Sequence, residues 1–272
     1  TVGGQNTSMP VKVAINGAGG RMGRRLLSIA CADPNIELVQ AIEYAASPLQ
    51  GKKVREVEPE ADSDIVITSE LAAGADAVID FSSPQGTSAL AKQAEGLGIA
   101  LVIGTTAKDF EWRQAVKKSS EKVPMIHAQN FSLGVNLMFK VAAQMAKALG
   151  EDFDIEIVEG HHHHKVDAPS GTGMGIAGAI CDSIGRDVEK DLVYGREGQV
   201  GKRTKTEIGV HALRMGSEIG LHTAYYASEF ERLELTHRAS SRDVFAAGAM
   251  RAAKWIAGKP AGYYEMSDVL GL

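Results

Sequence analysis

The stretch Glu159 to Gly173, EGHHHHKVDAPSGTG, sets four consecutive histidines beside a lysine in mid-chain. Imidazoles exchange protons near neutral pH, and an ammonium group donates a proton or holds an anion. A purification-tag scar is disfavoured, because tags sit at termini and this run follows a well-patterned strand. Metal binding is the competing chemistry, and it needs ligands that converge on one point. If the strand continued through the run, His161 and His163 would share one face and His162 and His164 the other. Adjacent residues on an extended chain point apart, so four in a row cannot all reach one ion, and no metal is expected. Behind them, Asp167-Ala-Pro-Ser-Gly-Thr172 leads into a helical pattern, GMGIAGAICDSIG. Ser170 suits the N-cap, and the amides around Gly171 and Thr172 would then face outward. Such a helix end suits a small carboxylate. One short segment thus offers an acid, cations and an oxyanion-binding helix end, although alone it also reads as a capped helix after a polar loop.

A second motif lies near the start. VAINGAGGRMGRRLL (13–27) follows an apolar strand pattern and opens a helical one. The strict G-x-G-x-x-G spacing fails, because Gly17 and Gly19 are followed by Met22. The G-x-x-G-x-x-G spacing of Gly17, Gly20 and Gly23 holds. Glycines there allow a tight turn, close approach of backbone to a pyrophosphate, and helix-on-strand packing. Glu43 closes the second strand twenty residues beyond Gly23, where a carboxylate can bind ribose hydroxyls. The loops IGTT (103–106) and AQNF (128–131) end two further strands, and in doubly wound sheets ligands bind at those carboxyl ends.

The elements that must position these residues fall into two kinds. In the first half, short apolar strands (11–15, 36–42, 64–67, 76–81, 100–104 and 124–128) alternate with helical patterns (21–32, 86–98 and 109–122). That alternation predicts βαβ units and a parallel sheet covered on both faces. Residues 44–64 lack such a pattern and read as surface loop. After Ala128 comes a long helix (133–150), then alternating strands at 152–159, 204–215, 217–230 and 232–237. These predict an open mixed or antiparallel sheet with one face on helices and the other wet or meeting a partner subunit. An amphipathic helix follows at 240–259. The fold class expected is α/β, a Rossmann-type parallel-sheet dinucleotide-binding domain plus an α+β substrate domain.

Bulk properties narrow the function. The 272 residues suffice for two modest domains, and the net charge of −5 lacks the basic footprint that nucleic acid requires. Cys31 and Cys181 form no metal-spaced set, which excludes a disulfide scaffold and fits a reducing compartment. No apolar run reaches transmembrane length. The expectation is a soluble cytoplasmic protein with no membrane or nucleic-acid partner and a flexible leader, TVGGQNTSMP.

EGHHHHKVDAPSGT resembles the signature of the 4-hydroxy-tetrahydrodipicolinate reductase family (formerly dihydrodipicolinate reductase), roughly E-A-H-H-x-x-K-x-D-x-P-S-G-T. VAINGAGGRMGR, DFSSP, IGTT, AQNFSLGVN and LTHRASSRDVFAAGA match that family in the same order, from about Val11 to Leu270. The resemblance implies reduction, by NADH or NADPH, of the cyclic product of aspartate semialdehyde and pyruvate, a small dicarboxylate on the diaminopimelate route to lysine. It also implies a homotetramer built through the substrate-domain sheets, and a C-terminal helix that returns to the Rossmann domain. The domains would then be 1–130 with 240–272, and 131–239.

Carried over by motif, His161 is the acid/base histidine and Lys165 the proton-donating lysine, with the direct donor left open between them. His162 contacts a substrate carboxylate, and Gly171 with Thr172 clamp one through backbone. Gly17, Ala18, Gly19, Gly20, Arg21 and Met22 form the pyrophosphate turn, and Glu43 takes the ribose. Gly104, Thr105 and Thr106 lie near the nicotinamide, as do Ala128, Gln129, Asn130 and Phe131, which also form an interdomain hinge. This sequence departs from the pattern at Gly160 and His163, where many members carry Ala and Arg, and at Ala107, where Gly is common. Tyr44 stands where several members have an arginine that would bind the 2′-phosphate of NADPH, and Ser83 likewise stands where Arg can occur. The expectation is that NADH serves at least as well as NADPH, unless Lys52 or Lys53 folds over to bind the phosphate. Two rival readings are another NAD(P)-dependent oxidoreductase of a small dicarboxylate, such as a semialdehyde dehydrogenase, which needs a nucleophilic cysteine that neither Cys31 nor Cys181 is placed to be, and a non-enzymatic metal-linked binding module.

Overall fold

The structure, a computed structural model, describes residues 9–107 and 109–272. The leader expected at 1–10 lies, for residues 1–8, outside the described residues. In chain order the first elements are β1 (Val11–Asn16), α1 (Arg21–Ala32), β2 (Ile36–Ile42), α2 (Val54–Val57), β3 (Ile67–Thr68) and β4 (Ala77–Asp80). Next come α3 (Pro84–Leu97), β5 (Ala100–Ile103), α4 (Phe110–Lys117), β6 (Pro124–His127) and α5 (Leu133–Leu149). Then follow β7 (Asp154–His161), α6 (Gly171–Ile184), β8 (Leu192–Tyr194), β9 (Ile208–Arg214), β10 (Leu221–Ala227) and β11 (Arg232–Arg238). The chain closes with α7 (Asp243–Ile256), β12 (Gly262–Tyr264) and α8 (Met266–Leu270).

These elements form two units, one running through Phe131 and resuming at Phe245–Gly271, the other spanning Ser132–Val244. In the first unit, seven strands run in the order β12-β6-β5-β4-β1-β2-β3, and every pairing is parallel. The apolar runs explain this arrangement. All four residues of β4 and of β5 are buried, which only helices on both faces of the sheet allow. Strand order reverses between β1 and β4, so their carboxyl ends flank the switch-point crevice where such sheets bind ligands.

In the second unit, five strands form a mixed sheet, β11-β10-β7-β9-β8. β10 runs antiparallel to both β11 and β7, while β7, β9 and β8 are parallel. One face is apolar: Ile155, Ile157, Ile208, Val210, Ala224 and Tyr226 pack on Met138, Ala142 and Ala146 of α5 and Ile176, Ala177 and Ile180 of α6. The phenol of Tyr226 stays satisfied in that core by donating to the Ala142 carbonyl at 2.7 Å. The opposite face carries Glu156 and His211, 2.7 Å apart, with Arg196 and Arg203 both bonded to Glu156.

Several expectations require correction. Residues 44–64 are more than a loop, since α2 forms there and Val54, Val57 and Ala61 are buried. A single i, i+3 apolar pair inside a charged stretch is too short to register as periodicity. The strand expected at 64–67 is reduced to Ile67–Thr68, and the helix expected at 109–122 divides into α4 and a 3₁₀ turn at Lys118–Glu121. The three-residue strands β8 and β12 and the short α8 lack a readable period; β12 pairs with β6 and extends the parallel sheet. The two units meet at 131/132 and 244/245, beside the division expected at 130/131 and 239/240.

Candidate active site

In the first unit the glycine turn joins β1 to α1. Gly17 has φ +78°, and a Cβ there would lie 2.5 Å from the Phe81 carbonyl oxygen. At Gly23 a Cβ would lie 2.0 Å from the Gly17 carbonyl oxygen, so helix and turn touch through bare backbone. The amides of Gly17 and Ala18 both donate to the Ile42 carbonyl, and that of Gly20 to the Gly17 carbonyl. Gly19 N–H donates to Glu43 Oε2 at 2.8 Å, while Tyr44 N–H donates to Oε1 at 3.1 Å. Residues 17–20 therefore shape the turn, with Gly20 as an N-cap that makes no side-chain bond. Arg21 and Met22, in the first turn of α1, hold amides with no intrahelical acceptor, and these are what the turn offers a phosphate. Glycines that admit no Cβ, a helix N-terminus and a carboxylate at the end of β2 together fit a dinucleotide.

The crevice floor is organised by Asp80, which is fully buried. Its Oδ1 accepts from Asn16 Nδ2 at 2.7 Å and Ser82 Oγ at 2.6 Å, and its Oδ2 from Thr87 Oγ1 at 2.5 Å and Thr105 Oγ1 at 2.8 Å. Four donors from β1, the loop after β4, α3 and the loop after β5 thus converge on one carboxylate. The Thr105 hydroxyl is committed there and also accepts Ser82 N–H, leaving exposed Thr106 to face outward. Gly104 has no room for a side chain, since a Cβ would sit 2.3 Å from the Phe81 ring. Gln129 is exposed, Ala128 and Asn130 half-buried. The Phe131 ring is buried against Phe81, with centroids 5.7 Å apart, so Phe131 can offer a ligand only backbone.

In the second unit, β7 ends at His161 and the histidine run disperses. His161 turns its Nδ1 to Glu159 Oε2 at 2.6 Å. His163 and His164 lie outside with ring centroids 4.0 Å apart. Among the described residues no cluster of three or more His, Cys, Asp or Glu could hold a metal ion. His162 is anchored by its amide to the Glu218 carbonyl at 2.7 Å, and its Nδ1 is buried without a hydrogen-bond partner. Desolvation, then the charge of Arg242, hold its imidazole below the ordinary range. Lys165 Nζ lies 2.8 Å from Asp167 Oδ1, and that bond depresses the Asp167 carboxyl. Ser170 caps α6 as expected, its Oγ accepting Gly173 N–H at 3.0 Å. Gly171 and Thr172 therefore open the helix.

Sequence reasoning missed Glu159, Arg214 and His222. Glu159 has no exposed surface; Arg214 grips it with Nη1 at 3.0 Å from Oε2 and Nη2 at 2.9 Å from Oε1, and Ser170 N–H donates to Oε1 at 3.1 Å. Burial pushes its carboxyl up, but bonds from Arg214 and His161 outweigh this and hold it below the ordinary carboxylate range. His222 is buried opposite Glu159 on β10, with its Nε2 3.1 Å from Ser170 Oγ and its ring edge-on to His161 at 5.2 Å. Desolvation, with the charge of His161, pushes its imidazole down to about 4. Glu159 was readable in principle: alternation places it on the face of Ile155 and Ile157, where a charge demands partners. Arg214 was not, because it arrives through the β7–β9 register.

Family models for dihydrodipicolinate reductase match the chain at both ends, the N-terminal one over residues 11–131 and the C-terminal one over 134–270. A 4-hydroxy-tetrahydrodipicolinate reductase of Alkalilimnicola ehrlichii is 43% identical over 97% of this chain and 100% of its own length. Its counterpart in Thiobacillus denitrificans is 44% identical, again over 97% and 100%. Among solved structures, a dipicolinate-bound dihydrodipicolinate reductase from Paenisporosarcina sp. TG-14 shares the fold with a TM-score of 0.72 at 23% identity, covering 94% of this chain and 98% of that one.

Proposed function

The chain belongs to the dihydrodipicolinate reductase family, and from that membership we propose how its residues divide the reaction. The activity is NAD(P)H-dependent reduction of 4-hydroxy-tetrahydrodipicolinate to tetrahydrodipicolinate, a step towards diaminopimelate and lysine. The substrate's hydroxyl leaves as water, which yields a conjugated imine. The bound nicotinamide supplies the hydride that this imine accepts at C4. Negative character then moves to the ring nitrogen and is relieved by one proton, which His161 or Lys165 delivers. His162, the backbone of Gly171 and Thr172, and the α6 N-terminus hold the two carboxylates. Arg21, Met22 and Glu43 hold the pyrophosphate and ribose, while Thr106 with the backbone of Gly104, Thr105 and 128–131 borders the nicotinamide. The observation that carries this assignment is the joining of His161 and the α6 cap by one carboxylate, Glu159.

NADH is the better or equal cofactor in this reading. Tyr44 is 64% exposed beside Glu43 and brings no charge for a 2′-phosphate. Lys53 is paired with Asp64 at 2.8 Å, and Arg24 is committed to the carbonyls of Gly19 and Val57. Lys52 alone of the two lysines then remains for that phosphate. The domains divide as a cofactor unit, 1–130 with 240–272, and a substrate unit, 131–239. The protein is a cytoplasmic homotetramer joined through the open sheet face of the second unit, which sedimentation or light scattering would test; no helix among the described residues is long and apolar enough to cross a membrane. The decisive assay follows nicotinamide oxidation with substrate freshly made from pyruvate and aspartate semialdehyde. Substrate-dependent oxidation is expected, with kcat/KM for NADH at least that for NADPH. No oxidation would overturn the assignment, and a strong NADPH preference would overturn the cofactor reading alone.

A further inference from the structure

We propose that Glu159, clamped by Arg214, is the positioning residue that fixes the tautomer and orientation of His161, so that Nε2 is the atom exchanging a proton with substrate. This deepens the reading of His161 as an acid/base group and rests on it. An imidazole with two free nitrogens distributes its proton between them and rotates. Here Nδ1 lies 2.6 Å from Glu159 Oε2, and an ionised carboxylate can only accept. The Nδ1 proton is thereby held in the neutral ring, and the second proton, the one that comes and goes, sits on Nε2. Space is kept on that side: a Cβ at Gly220 would lie 3.4 Å from Nε2.

Why the carboxylate stays ionised and still is clear from its surroundings. Arg214 contacts both oxygens from β9 and itself donates to the Asp167 carbonyl at 2.5 Å, so the fork cannot swing away. His222 faces His161 from β10 and His162 acts on it from the same loop, where Lys165 pairs with Asp167. His222 is neutral through the physiological range, and Lys165 is balanced by Asp167, which leaves Glu159 as the anion in direct contact with the ring. Its second oxygen accepts Ser170 N–H, so one side chain sets both the proton-carrying ring and the helix end that grips a carboxylate.

The test uses the full-length protein with nitrogen-15-labelled histidine. In wild type, the neutral His161 ring, assigned through His161→Asn, is expected to carry its proton on Nδ1; a proton on Nε2 instead would overturn the proposal whether or not any variant folds. In Glu159→Gln the His161 ring should lose its single tautomer, its proton divided between Nδ1 and Nε2, and kcat should fall about tenfold with KM little changed. A purely structural role would raise KM or lower stability while the Nδ1 tautomer persisted, and that result would also overturn the proposal. Failure of the parent reading looks different: the Nδ1 tautomer would be present, yet His161→Asn would turn over normally.

Discussion

Each unit of the molecule builds its site around one fully buried carboxylate, and the two are served in opposite ways. Asp80 is surrounded by neutral donors, an amide and three hydroxyls, which draw the ends of β1, β4 and β5 and the start of α3 together. Glu159 is met by a guanidinium, an imidazole and a backbone amide. Neutral donors can solvate a buried charge and shape a crevice, but they cannot couple it to a proton on a neighbouring ring. The difference separates a scaffold carboxylate from an electrostatic one, and it suits the proposed division of the reaction, in which the first unit holds the shape of a cofactor crevice and the second moves a proton.

Stripping each carboxylate of its support should separate the two roles most strongly. Arg214→Ala leaves Glu159 buried without its cation and should destabilise the protein by about 3–5 kcal/mol in urea unfolding. Asp80→Asn keeps a similar shape and should cost about 1–3 kcal/mol, with weakened NADH binding. If Asp80→Asn costs more than Arg214→Ala, the contrast fails. Acid provides an intermediate effect. His222 is 3% exposed and its imidazole is depressed to about 4, so between about pH 6.5 and 4 the unfolded chain binds the extra proton. Stability should therefore be fully present above that window and fall through it as pH drops, by on the order of 2–3 kcal/mol, and His222→Gln should flatten the slope. Glu159, whose carboxyl is also depressed, adds its loss at lower pH, below the ordinary carboxylate range. The smallest effect belongs to Gly160→Ala. Its Cβ would meet nothing nearer than 3.5 Å, so unfolding should shift by less than about 0.5 kcal/mol.

What was legible in the sequence follows the same division. The Rossmann-type fold was plain because its strands are continuous apolar runs and α1 is a full amphipathic stretch, read at 21–32 and found there. The Ser170 cap was legible because capping is local, and the place of Glu43 beside the glycine turn because the motif's spacing to it is short. Asp80 and Arg214 were not. Asp80 sits in an apolar strand and acquires its donors from four separate segments, and Arg214 reaches Glu159 across 55 residues of sequence by strand register. Local chemistry is written in order along the chain, whereas the partners of a buried charge are chosen by topology.

In the proposed mechanism His161 handles a proton while the first unit binds the nicotinamide independently of it. The most direct test is His161→Ala, with turnover measured on fresh substrate and NADH affinity by fluorescence titration in the same preparation. The prediction is a kcat lower by about 10²–10⁴ with NADH affinity nearly unchanged. Near-normal turnover would contradict it.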